Sequence, residues 1–273
     1  MGEVSTLRGD LTAFRAVLSS RVRAQRAYAT SFRLDLVGAG LITLIEFAEV
    51  WVLFGQVDAI GGLTLASVML VFGLAEMTFS TADLLVGHCD RMPTYVRAGT
   101  LDVFYLRPQP VLAQLVTSDI DLRRIARVAG GVLILAVGLI VSGVQWTPEK
   151  VLLLAVTIPA AVAIYSGLFI AAAGVQFFLI NGAETTNAFV YGGRYAASQP
   201  ASVWPRSLVL VFGLIFPVAF TGYLPALTLL DLPVPFGLPH WVAWLTPVAA
   251  AWTWLMALGC WRLGTRHYQG AGG

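Results

Sequence analysis

Four carboxylic acids lie inside the most apolar stretches of the chain. Glu46 and Glu49 are three residues apart, and Glu76 and Asp83 are seven apart, so each pair shares one face of a helix. An ionised carboxylate at the centre of a membrane-spanning helix costs on the order of 3 kcal/mol. These side chains are therefore expected to face protein or water, to be paired, or to be protonated.

Two interpretations of these acids stay open. All four could line a polar translocation path or a proton relay, or they could form hydrogen bonds between helices. Hydroxyl partners for the second interpretation are Thr43, Ser67, Thr78 and Ser80. The predicted spans contain no lysine or arginine to act as a counter-ion, which favours protonated carboxyls or contact with another chain. Glu46 and Glu76 are expected to be the deepest pair.

Motifs for enzymatic chemistry are missing from the sequence. A P-loop needs a lysine after its glycines, and the only lysine, Lys150, lies in TPEKV with no glycines before it. The patterns His-Glu-x-x-His, Cys-x-x-Cys and Gly-x-Ser-x-Gly do not occur either. His88, Cys89 and Asp90 are metal-ligand types, but consecutive residues do not readily converge on one ion. The chain is predicted not to be an enzyme by itself and to bind no cofactor or metal.

Composition and charge indicate a membrane protein. Hydrophobic residues make up 58% of the chain and charged residues 12%, with a mean hydropathy of +0.78, whereas soluble domains carry about 25% charge. All basic residues except Lys150 fall in four clusters, within residues 8–33, 91–127, 194–206 and 262–266. Because basic residues concentrate on the cytoplasmic side, six spans with both termini cytoplasmic place these clusters inside. Membrane orientation explains them better than a nucleic-acid partner does.

The predicted fold is all-α, with six transmembrane helices in one domain over residues 34–262. Spans one and two exceed the roughly 20 residues needed to cross a bilayer. Span three is near the short limit, with its start open between residues 122 and 128, and span four is long enough to tilt. An amphipathic pattern over residues 7–30 predicts an interfacial helix within an N-terminal cytoplasmic segment, 1–33. Residues 181–206 are predicted to be an inner loop, and 263–273 a cytoplasmic tail. The predicted spans are residues 34–54, 63–87, 128–144, 151–180, 207–230 and 241–261.

The inner segment between spans two and three, residues 88–127, is far longer than a connector requires. It mixes apolar residues such as Tyr95, Leu101 and Phe104 with charged ones. Exposed apolar groups at that density predict docking onto another protein or onto the headgroup layer. Contact with lipid alone is the alternative.

Two stretches of the sequence resemble those of ABC-2 type transporter permeases. The first runs from Arg97 through Gly99-Thr100-Leu101-Asp102 to Leu106-Arg107-Pro108 and is similar to the G-x-L-D…R-P element that follows span two in that family. The second is similar to the family's segment entering and crossing span five. It comprises Arg194 to Pro200, Trp204-Pro205, Phe216-Pro217 and Tyr223-Leu224-Pro225-Ala226.

The resemblance implies a six-helix export permease of the bacterial inner membrane, in contact with membrane lipid. It implies two separate ATPase subunits that carry ATP and Mg, and a second permease subunit that is not identical to this one. The cargo expected for such a heteromeric complex is lipophilic or amphipathic (a drug, an antibiotic or a lipid-like molecule), as in multidrug efflux.

The resemblance also assigns roles to residues. The segment 88–127 carries the coupling helix that contacts the ATPase, and a re-entrant region over residues 223–240 forms the outer gate. Carried over to this sequence, the ATPase-coupling residues are Gly99, Leu101, Asp102, Arg107 and Pro108. The outer gate residues are Tyr223, Pro225, Pro233 and Pro235.

Two other function classes remain alternatives. A proton-coupled secondary transporter would use the four intramembrane acids and a proton gradient in place of ATP. A non-transporting membrane anchor subunit would assemble with partners but move no cargo. Dependence on ATP separates the permease from the first, and cargo movement separates it from the second.

Overall fold

The computed structural model of the protein describes residues 29–119, 124–179, 183–199, 204–268 and 270. Within these ranges the chain is helical and forms no β-strand beyond an isolated bridge between Ile60 and Leu63. The described part is therefore all-α, as predicted. The predicted interfacial helix over residues 7–30 lies outside the described residues, apart from its last two.

Eleven helices are named here in chain order, and together they account for most of the described chain. The long ones lie close to predicted spans, and a cluster of short ones forms the inner segment after a 3-10 turn at Gly87–Arg91. The helices are α1 (Ala29–Phe54), α2 (Leu65–Val86), α3 (Met92–Arg97), α4 (Thr100–Tyr105), α5 (Val111–Ser118), α6 (Ile125–Val141), α7 (Pro148–Gln176), α8 (Ala183–Ser198), α9 (Arg206–Leu210), α10 (Tyr223–Leu229) and α11 (Thr246–His267).

Three helical stretches in the described ranges are long and apolar enough to cross a membrane. They are Leu65–Arg97, Pro148–Gln176 and His240–His267. A fourth is possible if the bent pair Ser207–Ile215 and Val218–Leu229 counts as one span. These stretches indicate a multi-pass membrane protein. The six-span count and the cytoplasmic placement of both termini stay predictions.

The predicted fifth span, residues 207–230, is not one continuous helix. After α9 the chain makes a π-helical turn, Val211–Ile215, and then breaks at Phe216, whose φ of −108° and ψ of 88° are not helical. The two halves meet at an angle of 69°. Pro217 explains the break, because proline has no N–H to donate and disfavours helical geometry in the residue before it.

The predicted inner loop, residues 181–206, is also wrong, because Ala183–Ser198 forms a helix. Small and polar residues made this stretch look like a loop. Val190, Arg194 and Ala197 are buried, and their spacing of four and three residues places them on one helical face. Helix α8 therefore packs inward through a face that carries an arginine.

The core of the bundle is aromatic where α2, α7 and α8 meet. The rings of Phe79 and Tyr165 cross edge to face, with centroids 5.2 Å apart, and Phe169 lies 5.7 Å from Phe79. All three side chains are fully buried. The Tyr165 hydroxyl lies 3.0 Å from Thr221 Oγ1, so the core is tied to the chain just beyond the break in span five.

Two pairs of helices pack with their backbones in direct contact. A Cβ built at Gly131 of α6 would lie 2.7 Å from Met77 Cα of α2, and one at Gly174 of α7 would lie 2.5 Å from the carbonyl carbon of Cys260 in α11. Such distances leave no room for any side chain. Small residues allow this close packing between membrane helices.

Substituting Gly174 with alanine is expected to lower the stability of the chain by about 1–3 kcal/mol, because the new methyl group overlaps the backbone of α11. The midpoint of thermal unfolding in detergent measures this. The matched control is Gly259→Ala on α11, where a Cβ meets nothing within 4 Å and alanine is a better helix former. A Gly174→Ala midpoint at or above that of Gly259→Ala would contradict the packing.

Candidate functional site

A buried arginine joins two of the predicted intramembrane acids. Arg194 of α8 donates from Nη1 to Glu76 Oε2 of α2 at 2.5 Å and to Glu46 Oε2 of α1 at 2.9 Å. Its Nη2 also donates to Glu46 Oε1. Glu46 and Glu76, predicted to be the deepest pair, therefore meet on one guanidinium. The expectation that no intramembrane arginine would be available is wrong, because Arg194 had been assigned to a loop.

A second group of ions surrounds Asp83 near the end of α2. Arg124 Nη1 bonds Asp83 Oδ1 at 2.6 Å, and Arg127 Nη1 lies 3.7 Å from Asp83 Oδ2. Arg127 Nε also lies 4.0 Å from Glu76 Oε1, which connects this group to Arg194. Helix α6 begins at Ile125, within the predicted range of residues 122–128 for the start of span three. Arg124 directly before this helix and Arg127 in its first turn both reach back into the bundle.

The network balances three carboxylates against three guanidinium groups in a largely dry interior. Glu76 and Asp83 are 1% and 2% exposed, and Arg194 is 9% exposed. Buried ions of this kind persist only when paired and hydrogen-bonded, because losing one partner leaves an uncompensated charge. The ring of Phe79 adds a cation–π contact 5.1 Å from the Arg194 guanidinium carbon.

The hydroxyl partners predicted for the acids are only partly used. Ser80 Oγ donates to Glu76 Oε1 at 2.9 Å, but this bond lies within α2 and does not join two helices as predicted. Thr78 donates instead to the carbonyl oxygen of Leu74 at 2.7 Å. Ser67 pairs with Thr64. The side chain of Thr43 lies outside the described atoms.

Glu49 does not join this network. It lies on α1, one turn from Glu46, but it is exposed and makes no ion pair within the described part of the chain. The shared helical face predicted for Glu46 and Glu49 therefore does not give them a shared partner. Three of the four predicted acids form one site, and Glu49 stands apart from it.

The inner segment folds into a compact helical unit held by polar contacts. His88 Nε2 donates to the carbonyl oxygen of Leu115 at 2.7 Å, and Gln114 Nε2 donates to that of Phe104 at 2.9 Å. Leu101 is fully buried. Of the predicted coupling residues, Leu101 therefore belongs to the interior of this unit and not to its surface.

The exposed end of this unit follows α4. Leu106 is 86% exposed, and Arg107 and Pro108 beside it are exposed as well. Gly99 lies at the other end of α4, in the turn between α3 and α4. Its φ of +66° is a left-handed conformation that glycine adopts without strain. Gly99 thus shapes the turn before α4, while Arg107 and Pro108 after α4 remain accessible to a partner.

Asp102, the remaining predicted coupling residue, is tied to the C-terminal tail. The Tyr268 hydroxyl donates to Asp102 Oδ1 at 2.7 Å, and its ring stacks on Tyr105 with centroids 5.8 Å apart. Burial and the hydrogen bond to Asp102 raise the pKa of Tyr268 to about 12. The hydroxyl therefore stays protonated and keeps donating at ordinary pH. No local pattern in the sequence points to this contact.

The predicted outer gate residues occupy two different environments. Tyr223 and Pro225 are buried in α10, whereas Pro233 is exposed and Pro235 is half-buried. Between these pairs, Asp231 Oδ2 accepts a hydrogen bond from Lys150 Nζ at 2.6 Å. This end of the bundle is therefore held by an ion pair that the sequence did not reveal.

The consecutive residues His88, Cys89 and Asp90 have structural partners. His88 bonds Leu115, and Asp90 Oδ2 accepts a hydrogen bond from Tyr191 at 2.8 Å. Within the ranges that the structure describes, no group of three or more His, Cys, Asp or Glu side chains is arranged to hold a metal ion. Cys89 is a free thiol.

Comparison with known proteins places the sequence in a family. The sequence profile described as ABC-2 family transporter protein matches residues 41–272. No match was found among curated proteins or among solved structures. The matched range includes Glu46, Glu76 and Asp83, the inner segment, and the ion pair between Lys150 and Asp231.

Replacing Arg194 with methionine is expected to lower the stability of the chain by about 3–5 kcal/mol, because Glu76 then lies buried without its partner. Adding Glu76→Gln should recover at least about half of that loss. Thermal unfolding in detergent measures both variants. Arg91→Gln is the control: its side chain is 52% exposed, so the loss should be about 0–1 kcal/mol. Equal losses for Arg91→Gln and Arg194→Met would contradict a buried network.

Tyr268→Phe is expected to remove a pH-dependent contribution to stability. A tyrosine whose pKa is raised on folding stabilises the fold fully below its unfolded pKa of about 10, and this contribution is lost as the pH rises toward about 12. The difference in unfolding midpoint between wild type and Tyr268→Phe should therefore shrink between pH 9 and 12. A difference that stays constant across this range would show that the hydrogen bond to Asp102 contributes nothing.

Proposed function

The chain belongs to the ABC-2 family of transporter proteins, and from this we propose that it is the permease subunit of an ATP-binding cassette exporter. The single observation that carries the proposal is the family match over residues 41–272. In this proposal the chain crosses the bacterial inner membrane six times, with both termini in the cytoplasm. It forms part of the translocation path.

The energy for transport comes from other subunits in this proposal. The sequence has no P-loop, so ATP and Mg bind two separate ATPase subunits. A second permease subunit, not identical to this one, completes the path. The exposed apolar side chains of α1, such as Leu34 at 70% and Ile45 at 59%, are then covered by lipid, by the second permease or by cargo.

The inner segment is well suited to receive the ATPase. Leu106, Arg107 and Pro108 stand at its exposed end, and arginine is one of the residue types enriched at the hot spots of protein interfaces. The coupling contact is therefore assigned to these three residues. Leu101 and Asp102 support the contact from behind, through the buried interior of the unit and through Tyr268.

The charge network provides a route from this contact into the spans. The inner segment lies between Asp83 at the end of α2 and Arg124 at the start of α6, and these two residues are joined at 2.6 Å. A displacement of the segment therefore acts on Asp83, and through Arg127 and Glu76 it acts on Arg194. The guanidinium of Arg194 holds α1 and α8, so both helices receive the movement.

The proposed cargo is lipophilic or amphipathic, in the class of drugs, antibiotics and lipid-like molecules. The spans are largely apolar, and Glu46, with its side chain 24% exposed, is the acid of the network that is most accessible. A cargo moves only if its affinity differs between the two states of the transporter. A contact near Glu46 meets that condition if the pair with Arg194 is made in one state and broken in the other.

A proton-coupled carrier is less well supported. Glu46, Glu76 and Asp83 each have an arginine within 4.0 Å, so none of the three stands in the bundle without a counter-ion. A proton relay needs acids that change protonation during the cycle. The anchor-subunit alternative differs from the permease only in the absence of cargo movement.

Co-purification tests the assembly directly. The tagged chain is extracted from its native membrane in mild detergent, and the co-purifying proteins are identified by mass spectrometry. We expect a stoichiometric P-loop ATPase together with a second six-span protein. Recovery of this chain alone, under conditions that preserve known membrane complexes, would favour the carrier instead.

The double variant Leu106→Asp, Arg107→Ala is expected to uncouple ATP hydrolysis from transport or to release the ATPase, lowering ATP-dependent cargo movement by about tenfold or more. Cargo uptake into inverted vesicles and the amount of co-purified ATPase are the measurements. The matched control is Val57→Asp, an exposed apolar position in the turn after α1, at the other end of the bundle. Wild-type transport by the double variant would remove these residues from the coupling contact.

A further inference from the structure

A second polar site lies at the end of the bundle opposite the inner segment. A cavity of about 330 Å³ opens between the start of α7 and the 3-10 turn at His240–Leu245. Pockets that bind small ligands begin at about this size. The charged, polar and aromatic residues of its lining include Glu149, Lys150, Thr228, Asp231, His240 and Trp244.

Lys150 supplies the positive charge of this cavity. It is the only lysine of the chain, and it is 8% exposed, although it follows the exposed start of α7 by only two residues. Its ammonium donates to Asp231 Oδ2 at 2.6 Å. An ammonium carries three N–H donors, and no acceptor in the described part of the chain takes the other two. The site therefore has donor capacity left for an anionic group.

Two carboxylates and an indole surround that ammonium. The side chain of Asp231 is 68% exposed, and Glu149 is exposed on the first turn of α7. The half-buried ring of Trp244 lines the same cavity. One ammonium against two carboxylates leaves an excess of negative charge, and an indole attracts cations through its ring. The cavity therefore offers binding groups for an anion and for a cation within a few ångströms of each other.

The position of the cavity along the bundle favours contact with lipid headgroups. Two of the membrane-crossing stretches, Pro148–Gln176 and His240–His267, begin at its walls. Trp146 and Trp241, which are 49% and 60% exposed, lie next to these two starting points, and exposed tryptophans are typical of the membrane–water interface. A headgroup in the adjoining leaflet can thus enter the cavity while its acyl chains remain in the bilayer.

We propose that this cavity binds the zwitterionic headgroup of a phospholipid. The phosphate accepts hydrogen bonds from Lys150 Nζ, and the ammonium group lies between Asp231 and Glu149, against the ring of Trp244. The proposal is independent of transport, because it concerns the groups at one end of the bundle alone.

The test uses the full chain in a maltoside detergent, with two short-chain lipids of equal acyl length as probes. Phosphatidylcholine carries both charges, and phosphatidylglycerol carries the phosphate alone. Native mass spectrometry measures how much of each lipid is retained. We expect retention of phosphatidylcholine about tenfold above phosphatidylglycerol, a difference of about 1.4 kcal/mol. Equal retention of the two lipids would overturn the assignment to a zwitterion.

Three variants locate the site. Lys150→Met and Asp231→Asn are each expected to reduce retention of phosphatidylcholine by about tenfold, and Lys150→Arg by less than about threefold. Asp58→Asn is the control, since Asp58 is exposed in the turn after α1, outside the cavity. Unchanged retention in Lys150→Met would overturn the proposal.

A measurement on the unaltered protein guards against misfolding of the variants. Because Lys150 is the only lysine, an amine-reactive acetylating reagent reports on it directly. Phosphatidylcholine has no primary amine and should slow acetylation of the Lys150 peptide about tenfold, whereas inorganic phosphate at the same concentration should not. Equal protection by inorganic phosphate would indicate a simple phosphate site, and absence of protection would indicate no headgroup. Either result overturns the proposal.

Discussion

The fold depends on one guanidinium that holds three helices together from the inside. Arg194 brings α8 to Glu76 of α2 and Glu46 of α1, and without it two carboxylates would be stranded in an apolar interior. Desolvating such an ion pair costs free energy, and removing one partner leaves a buried charge uncompensated. Arg194 therefore couples the positions of α1, α2 and α8 to one another.

The same network connects the inner segment to the long helices. Arg124 and Arg127 stand where the inner segment returns to the bundle, and both approach Asp83. Glu76 lies two helical turns before Asp83 in α2, and both carboxylates lie within 4.0 Å of Arg127. Ion pairs can exchange partners over short distances, whereas apolar contacts have no specific partners to exchange. A chain of ion pairs therefore suits the proposed connection between the exposed end of the inner segment and the long helices.

The sequence predicted the all-α fold, because long apolar stretches of helical length follow directly from composition and local spacing. It did not predict the counter-ions. Arg194 sits in a stretch of low hydropathy, and only the buried spacing of Val190, Arg194 and Ala197 indicates a helix there. The bond between Asp102 and Tyr268 joins residues 166 positions apart, and no local pattern encodes such a contact.

The seam between α7 and α11 sets a limit on how the bundle can deform. Gly174 packs against the backbone of Cys260, and Gly264 packs against the carbonyl oxygen of Gly174. If either helix slid along the other, a side chain would overlap the backbone of its neighbour. These two helices therefore form a fixed frame with a single register. In the proposed transport cycle, this frame therefore stays intact and the other helices tilt against it.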